Sequence, residues 1–356
     1  MRVFQLIHTL NYGDAISGEA LTIKRLLSEQ GIKNEIYGLQ AHELLKGEMR
    51  PWSELSAQIA VEQGDTVVIL HYSIGSPLND LYRNLSGVKR ILVYHNLTPA
   101  HWFANYNHRV CNDLKLGLEE LPGLLACSER LVADSEFNKR ELQQLGYEHA
   151  HVLPLVLDEQ KWSIPENPGI TRILSNTGGP NWLHVGRVAP NKCIEDIIKA
   201  FYFYCHKIQK KSRLWLVGHD IDTEIYSFEL RRLVGHLHLE QNVTFVGSIA
   251  DSELKSFYSH CDLYVCMSEH EGFCVPLIEA MYFGLPVIAY SSSAIDQTVG
   301  EAGVLVENKQ PHLIAELADL VVGDQGLRKD MVQRGNAQAQ QFGLEPFREK
   351  LQLLWQ

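Results

Sequence analysis

The chain lacks a disulfide framework. Its seven cysteines are odd in number, scattered over 356 residues and free of CxxC spacing, so they read as reduced thiols and not as bridges or a zinc site. It also lacks positive charge: 32 Lys and Arg stand against 43 Asp and Glu, a net charge of −11. Nucleic acid and a broad anionic membrane surface are therefore not expected as partners. No apolar run reaches the length that spans a bilayer. The N-terminus, Met1-Arg-Val-Phe-Gln-Leu-Ile, enters a strand-like segment directly, so no signal peptide is expected. GxGxxG is missing, which counts against a dinucleotide oxidoreductase. These absences point to a cytoplasmic protein without a bound redox cofactor.

What is present is a globular composition, 45% apolar and 21% charged, on a chain long enough for two cores. Short apolar runs alternate with helical patterns. In the first half they are Val3–His8, Thr66–His71, Arg90–Tyr94, Leu131–Asp134 and His151–Leu155. In the second they are Trp182–Gly186, Leu214–Val217, Val243–Val246, Leu263–Met267, Val287–Tyr290 and Gly303–Val306. Continuous apolar strands between helices predict parallel sheets covered on both faces. Ile16, Ala20, Ile23 and Leu27 form a helical stripe ended by Gly31. The Pro- and Gly-bearing stretch Asp158–Ile170 reads as a linker, with a domain boundary expected near residues 158–172. The expected architecture is α/β, two Rossmann-like doubly wound domains facing across a cleft. One covers 1–160 and the other 161–344, and a last helix over 345–356 docks through Phe347, Leu351 and Leu354. Ligands of such sheets sit at the carboxyl ends of the strands.

Four loops at predicted strand ends carry chemistry. Glu271 and Glu279, separated by seven residues, bracket a glycine turn and a helix that begins near Pro276 and ends before Gly284. The amides of Gly272, Phe273, Cys274 and Val275 form a candidate phosphate nest. Glu279 would accept from ribose hydroxyls, and Glu271 stands where a sugar would attach. A surface helix with solvated glutamates is the plain alternative. In His184-Val-Gly-Arg-Val-Ala-Pro-Asn-Lys192, Arg187 and Lys192 bracket a strand-to-helix loop and would neutralise a diphosphate without a metal. The Gly13–Gly18 loop, with Asp14, allows close backbone approach. His95 ends the fourth, in Val93-Tyr-His-Asn; with no nucleophile motif and no ligand-spaced partner it suggests neither a hydrolase triad nor a zinc site. Asp220-Ile-Asp222 is a DxD pair, read as a solvated loop in preference to a metal site.

These motifs resemble the retaining glycosyltransferases of family 4, with the GT-B fold, over nearly the whole chain. The family's E-x7-E motif matches Glu271–Glu279, its Gly-Arg…Lys element Gly186-Arg187 and Lys192, and its V-x-F-x-G strand Val243–Gly247. The glycine loop matches Gly13-Asp14-Ala15-Ile16, and the family's histidine matches His95. Cys274 stands where the family usually has glycine, and the N-terminal loop lacks the double glycine.

The resemblance implies hexose transfer with retention from a nucleotide diphosphate sugar, UDP-glucose first and GDP-mannose second. The implied acceptor is a saccharide or lipid-linked saccharide, with at most peripheral contact at the inner membrane face. It implies backbone contacts to the base near Val246 and Ser248, sugar contact by His95, and a front-face route with no enzymic nucleophile, no metal and no cofactor beyond the donor. A nucleotide-sugar epimerase, a sugar phosphorylase and a non-catalytic nucleotide-sugar-binding protein are the alternatives of similar architecture.

Overall fold

The structure is a computed structural model that describes residues 1–61 and 64–354. The end of the expected last helix, residues 355 and 356, lies outside the described residues. The chain divides into two compact units. One comprises Met1–His101, Arg109–Val156 and the segment from Leu344; the other comprises Trp102–His108 and Leu157–Gly343.

The first unit is a seven-stranded parallel sheet in the order β3-β2-β1-β4-β5-β6-β7. The strands are β1 (Arg2–Leu10), β2 (Lys33–Ala41), β3 (Met49–Pro51), β4 (Thr66–Tyr72), β5 (Lys89–Tyr94), β6 (Arg130–Ala133) and β7 (His151–Val152). Val67, Ile69, Ile91, Val93 and Val132 are apolar on one face and meet Ile23, Leu26 and Leu27 of the helix Ala15–Glu29. The helix Leu344–Leu353 completes this core: Phe347, Leu351 and Leu354 belong to the same cluster. It begins two residues before Pro346, which sits in the first turn, where its missing N–H costs nothing.

The second unit is a six-stranded parallel sheet, β10-β9-β8-β11-β12-β13. Its strands are β8 (Asn181–Val185), β9 (Arg213–Val217), β10 (Val243–Gly247), β11 (Leu263–Cys266), β12 (Val287–Tyr290) and β13 (Val304–Val306). Trp182 lies at the centre of its core, edge-on to Phe201 and tilted against Tyr204, both fully buried. The aromatic run at 201–204 is therefore largely core.

Two strands had no apolar run to announce them. β2 reads Lys-Asn-Glu-Ile-Tyr-Gly-Leu-Gln-Ala, with only Ile36, Tyr37 and Gly38 buried, and β3 is a three-residue edge strand. Burial on one stretch only removes the continuous-run signal. His151–Val152 is also shorter than the five residues expected there. No helix among the described residues is long and apolar enough to cross a membrane.

Candidate active site

In the second sheet the chain starts at β8, runs outward to β9 and β10, then returns to β11 beside β8. Connections therefore diverge between the ends of β8 and β11. A crevice outside the strand ends at such a switch point is where open α/β sheets hold ligands. The Gly186–Lys192 loop follows β8 and the Ser268–Cys274 loop follows β11, so both lie at this point. The first loop is held close to the sheet. A Cβ on Gly218, at the end of β9, would meet the carbonyl oxygen of Gly186 at 1.9 Å, so only glycine fits there.

Lys192 and Glu271 meet: Nζ lies 2.6 Å from Oε2. The glutamate is 7% exposed, and the lysine side chain keeps 20% exposure. Burial pulls the Lys192 ammonium toward neutrality, but the Glu271 carboxylate outweighs it, and the lysine is held above its ordinary range. Left-handed Cys193 (φ 48°) turns the chain from the Pro190–Lys192 turn into the helix Ile194–Phe203. Under the pair lies His184, whose Nδ1 donates to the Val265 carbonyl at 2.9 Å. Burial, with Lys192 nearby, lowers its pKa to about 4, so it is neutral.

The helix after β11 runs Val275–Tyr282. Its first-turn amides have no acceptor within the helix. Cys274 before it is left-handed, at φ 77° and ψ 67°. A left-handed residue followed by right-handed ones aims successive N–H groups at one point and makes an anion nest. The strain of a non-glycine residue in this region makes the loop a functional candidate. Its thiol bonds that of Cys266, which lowers the Cys266 pKa, while the same bond and burial raise that of Cys274. Phe273 is core, 4% exposed and edge-on to Phe342, so only its backbone is available to a ligand.

Glu279, 7% exposed, is held at both carboxylate oxygens. Tyr258 donates to Oε2 at 2.8 Å, and Lys161 Nζ lies 3.5 Å from Oε1. Burial and the Glu279 charge push the Tyr258 phenol well above its ordinary range, which keeps it a donor. The Lys161 ammonium loses hydration on burial but gains more from Glu279 and Asp251, so it stays charged. It also lies 4.4 Å from the Trp162 ring centroid. Lys161 falls in the stretch that reads as a linker, and Tyr258 in the ordinary helix Asp251–His260; neither has a local motif that announces it.

Arg187 gives Nη2 to the Ile221 carbonyl at 2.8 Å and lies over the Phe103 ring. Val246 and Ser248 flank Gly247, left-handed at φ 81°, where β10 slips register against β9. Arg187, Lys192, Val246, Ser248, Glu271 and the 272–275 amides thus all lie at the carboxyl edge of one sheet. In the DxD loop, Asp222 is left-handed, its amide donates to Glu224, and the Asp220 carbonyl accepts from Thr223.

The remaining candidates belong to the first unit. Gly13 is left-handed at φ 77°. The Asp14 carboxylate caps the helix Ala15–Glu29, accepting from the Ser17 amide at 2.9 Å and hydroxyl at 2.8 Å. His95 follows β5, with its side chain 1% exposed and both ring nitrogens engaged: Nε2 by His71 Nδ1 at 2.9 Å, Nδ1 by Asp134 Oδ2 at 3.4 Å. His71, Glu19 and Asp134 around it have no sequence neighbour that announces them; three separate strands and a helix bring them together.

The chain is similar to several known proteins. Residues 170–338 match the family model described as glycosyl transferases group 1. The O-antigen chain mannosyltransferase B of Escherichia coli is 27% identical over 46% of this chain and 42% of its own length. The mannosylfructose-phosphate synthase of Agrobacterium fabrum is 30% identical over 40% of this chain and 33% of its own. The chain thus spans less than half the length of these two relatives. Among solved structures, Anabaena HepE with UDP and glucose is similar at TM-score 0.75 and 18% identity, over 100% of this chain and 99% of that one. The sucrose-phosphate synthase of Thermosynechococcus elongatus reaches TM-score 0.77 at 18% identity, over 100% and 98%. The two parallel-sheet units have the fold of the GT-B glycosyltransferases, and residues 170–338 are similar to glycosyl transferases group 1.

Proposed function

We propose that the protein is a retaining hexosyltransferase that moves a sugar from a nucleotide diphosphate donor to a saccharide or lipid-linked saccharide. The observation that carries this reading is the Lys192–Glu271 pair at the switch point of the second sheet, beside a helix N-terminus. Cations and amides there suit a diphosphate, and carboxylates on either side suit hydroxyls.

In this reading Arg187, Lys192 and the 272–275 amides stabilise the charge that develops on the leaving diphosphate. A diphosphate that recruits the Lys192 ammonium releases Glu271 to bind sugar hydroxyls, so donor binding and sugar positioning are coupled through one ion pair. Glu279, oriented by Tyr258 and Lys161, accepts from the ribose. The backbone near Val246 and Ser248 holds the base. No side chain serves as nucleophile; the leaving phosphate takes the acceptor proton on the front face. We keep Gly13, Asp14 and His95, all at the carboxyl edge of the first sheet, as that unit's candidates. No metal is assigned a role, and a cytoplasmic location with at most peripheral membrane contact fits a nucleotide-sugar donor.

UDP-glucose and GDP-mannose are the donor candidates, and the mannosyl names of the two relatives give weight to the second. A thermal-shift screen of UDP-, GDP- and ADP-sugars decides. One base is expected to raise Tm, with release of the nucleoside diphosphate once acceptor is added. No shift with any of them refutes the reading, and tight binding without turnover against any acceptor leaves a binding protein.

A further inference from the structure

Among the described residues, three groups of side chains bring metal-type ligand atoms together. Two already hold a lysine. Lys192 sits on Glu271 in the Cys266–Glu271–Cys274 group, and Lys309 lies 3.2 Å from Asp196 and 2.8 Å from Glu269 in the Cys193–Asp196–Glu269 group. The third, Glu19–His71–His95, lies in the first unit, and the charges that act on its Glu19 are His95 and Asp134. Neither oxygen of Glu19 has a hydrogen-bond partner, and the residue is 1% exposed. Burial pushes the Glu19 carboxyl up to about 7, with His95 acting against that shift, so above that pH the ionised group needs a cation beside it.

Counting protons identifies it. Gln5 spends its side-chain N–H on the Ala20 carbonyl at 3.0 Å, so its Oε1 faces His71 Nε2 at 2.9 Å and only accepts. His71 Nε2 therefore carries a proton. His95 Nδ1 faces Asp134 Oδ2, which also accepts, so it carries another. Between His71 Nδ1 and His95 Nε2, 2.9 Å apart, one proton must lie, since two bare lone pairs would repel and two N–H groups would collide. Three protons on two imidazoles leave one positive charge. The rings have the matching geometry: planes 11° apart and centroids 5.2 Å apart, longer than the nitrogen contact by about two ring radii. They lie end to end in nearly one plane, as a linear N–H···N bond requires. Glu19 Oε2 flanks the shared proton at 3.4 Å from His95 and 3.6 Å from His71.

We propose that His71 and His95 share one proton as a buried cationic pair, and that His71, Asp134 and Glu19 are positioning residues that keep His95 charged. The charged and polar groups that face the pair are Gln5 from β1, Glu19 from the helix Ala15–Glu29, Asp14 before that helix, and Asp134 after β6, itself held by Asn138. The direction of titration agrees, with His95 raised by Asp134, Glu19 and Asp14 against its burial, and His71 lowered by burial and by His95. A charged His95 with both nitrogens engaged is no general base. It is a fixed cation at the end of β5 that offsets Glu19 and Asp134, so that a sugar oxygen at this edge does not meet two bare carboxylates. That use in sugar transfer rests on the reading above; the protonation state does not.

Selective 15N-histidine labelling of the full chain reads the pair without turnover. At about pH 8, above the ordinary histidine range, one imidazole is expected with both nitrogens protonated, assigned by its loss in His95→Gln. Asp134→Asn, its fold checked by circular dichroism, is expected to shift that deprotonation to lower pH. A merely structural Asp134 would leave it in place and overturn the positioning role. Only neutral imidazoles in the native chain at that pH overturn the proposal, and so does zinc bound one to one with loss of the signal. If Asp134→Asn does not fold, the native spectrum decides alone. An active transferase without the signal removes this proposal and keeps the function; the signal in a chain that binds no sugar nucleotide does the reverse.

Discussion

Lys192→Met separates the two roles given to the Lys192–Glu271 pair. Methionine keeps the length and apolar volume of the lysine stem and deletes only the charge, which leaves Glu271 buried without its partner at 2.6 Å. Breaking a fully buried pair costs about 3–5 kcal/mol, mostly from the uncompensated charge left behind. Lys192 keeps 20% of its side chain exposed, so water can reach part of the vacated place. The expected cost is nearer about 2–3 kcal/mol, a fall of roughly 5–10 °C in the melting of a unit of this size. Lys192→Met with Glu271→Gln removes both charges and should recover most of that loss, because the stranded carboxylate is gone. Turnover behaves differently. Both variants lack the cation that meets the leaving diphosphate, so both should fall on the order of 100-fold in kcat. The assays are chemical denaturation and initial rates of nucleotide release. A single variant as stable as the native protein refutes the buried-pair argument, and a double variant with near-normal kcat refutes the catalytic one.

Tyr258→Phe removes the hydroxyl that donates to Glu279 at 2.8 Å. A bond to a charged group contributes about 1.5–3 kcal/mol, so donor affinity measured by calorimetry should fall at least roughly tenfold; unchanged affinity would sever Tyr258 and Glu279 from the donor. His184 is neutral when folded, with its pKa lowered from 6.5 to about 4, so the unfolded chain binds the extra proton between those values. Stability therefore falls as pH drops from 6.5 to 4, by about 3 kcal/mol from this residue, and is flat in this component above the upper value. His184→Gln keeps a donor for the Val265 carbonyl and should flatten that slope; equal slopes in both proteins would show that burial of His184 is not its cause. Cys274→Gly relieves the left-handed backbone at φ 77° and should stabilise by about 1 kcal/mol; a loss instead would assign the strain to the thiol contact with Cys266. Turnover should be the same in excess chelator, and its complete loss there would bring Asp220 and Asp222 back as metal ligands.

The parts of this protein that were legible in its sequence are those where one local pattern carries the physics. Trp182–Gly186, Leu263–Met267 and Val287–Tyr290 are continuous apolar runs because their strands are buried on both faces, and the structure has strands within a residue of each. Gly13 and Gly284 are left-handed, as turn glycines are. Glu271 and Lys192 stood out because they lie in loops that follow strands, and Glu279 because it stands at fixed spacing from Glu271 in the helix after the turn. β2 was hidden because its polar ends interrupt the run.

What the sequence by itself determined was the class of the fold, the strand-end loops and the residue types they carry, because burial and turn chemistry are written locally. What only the tertiary structure decided is who meets whom. Strand order brought β8 beside β11, and with it Lys192 onto Glu271, although 79 positions separate them. It set Tyr258 and Lys161 on Glu279, and it closed Gln5, Glu19, His71, His95 and Asp134 into one buried network. Protonation follows from those contacts, since an imidazole is neutral or charged according to the donors and acceptors that surround it.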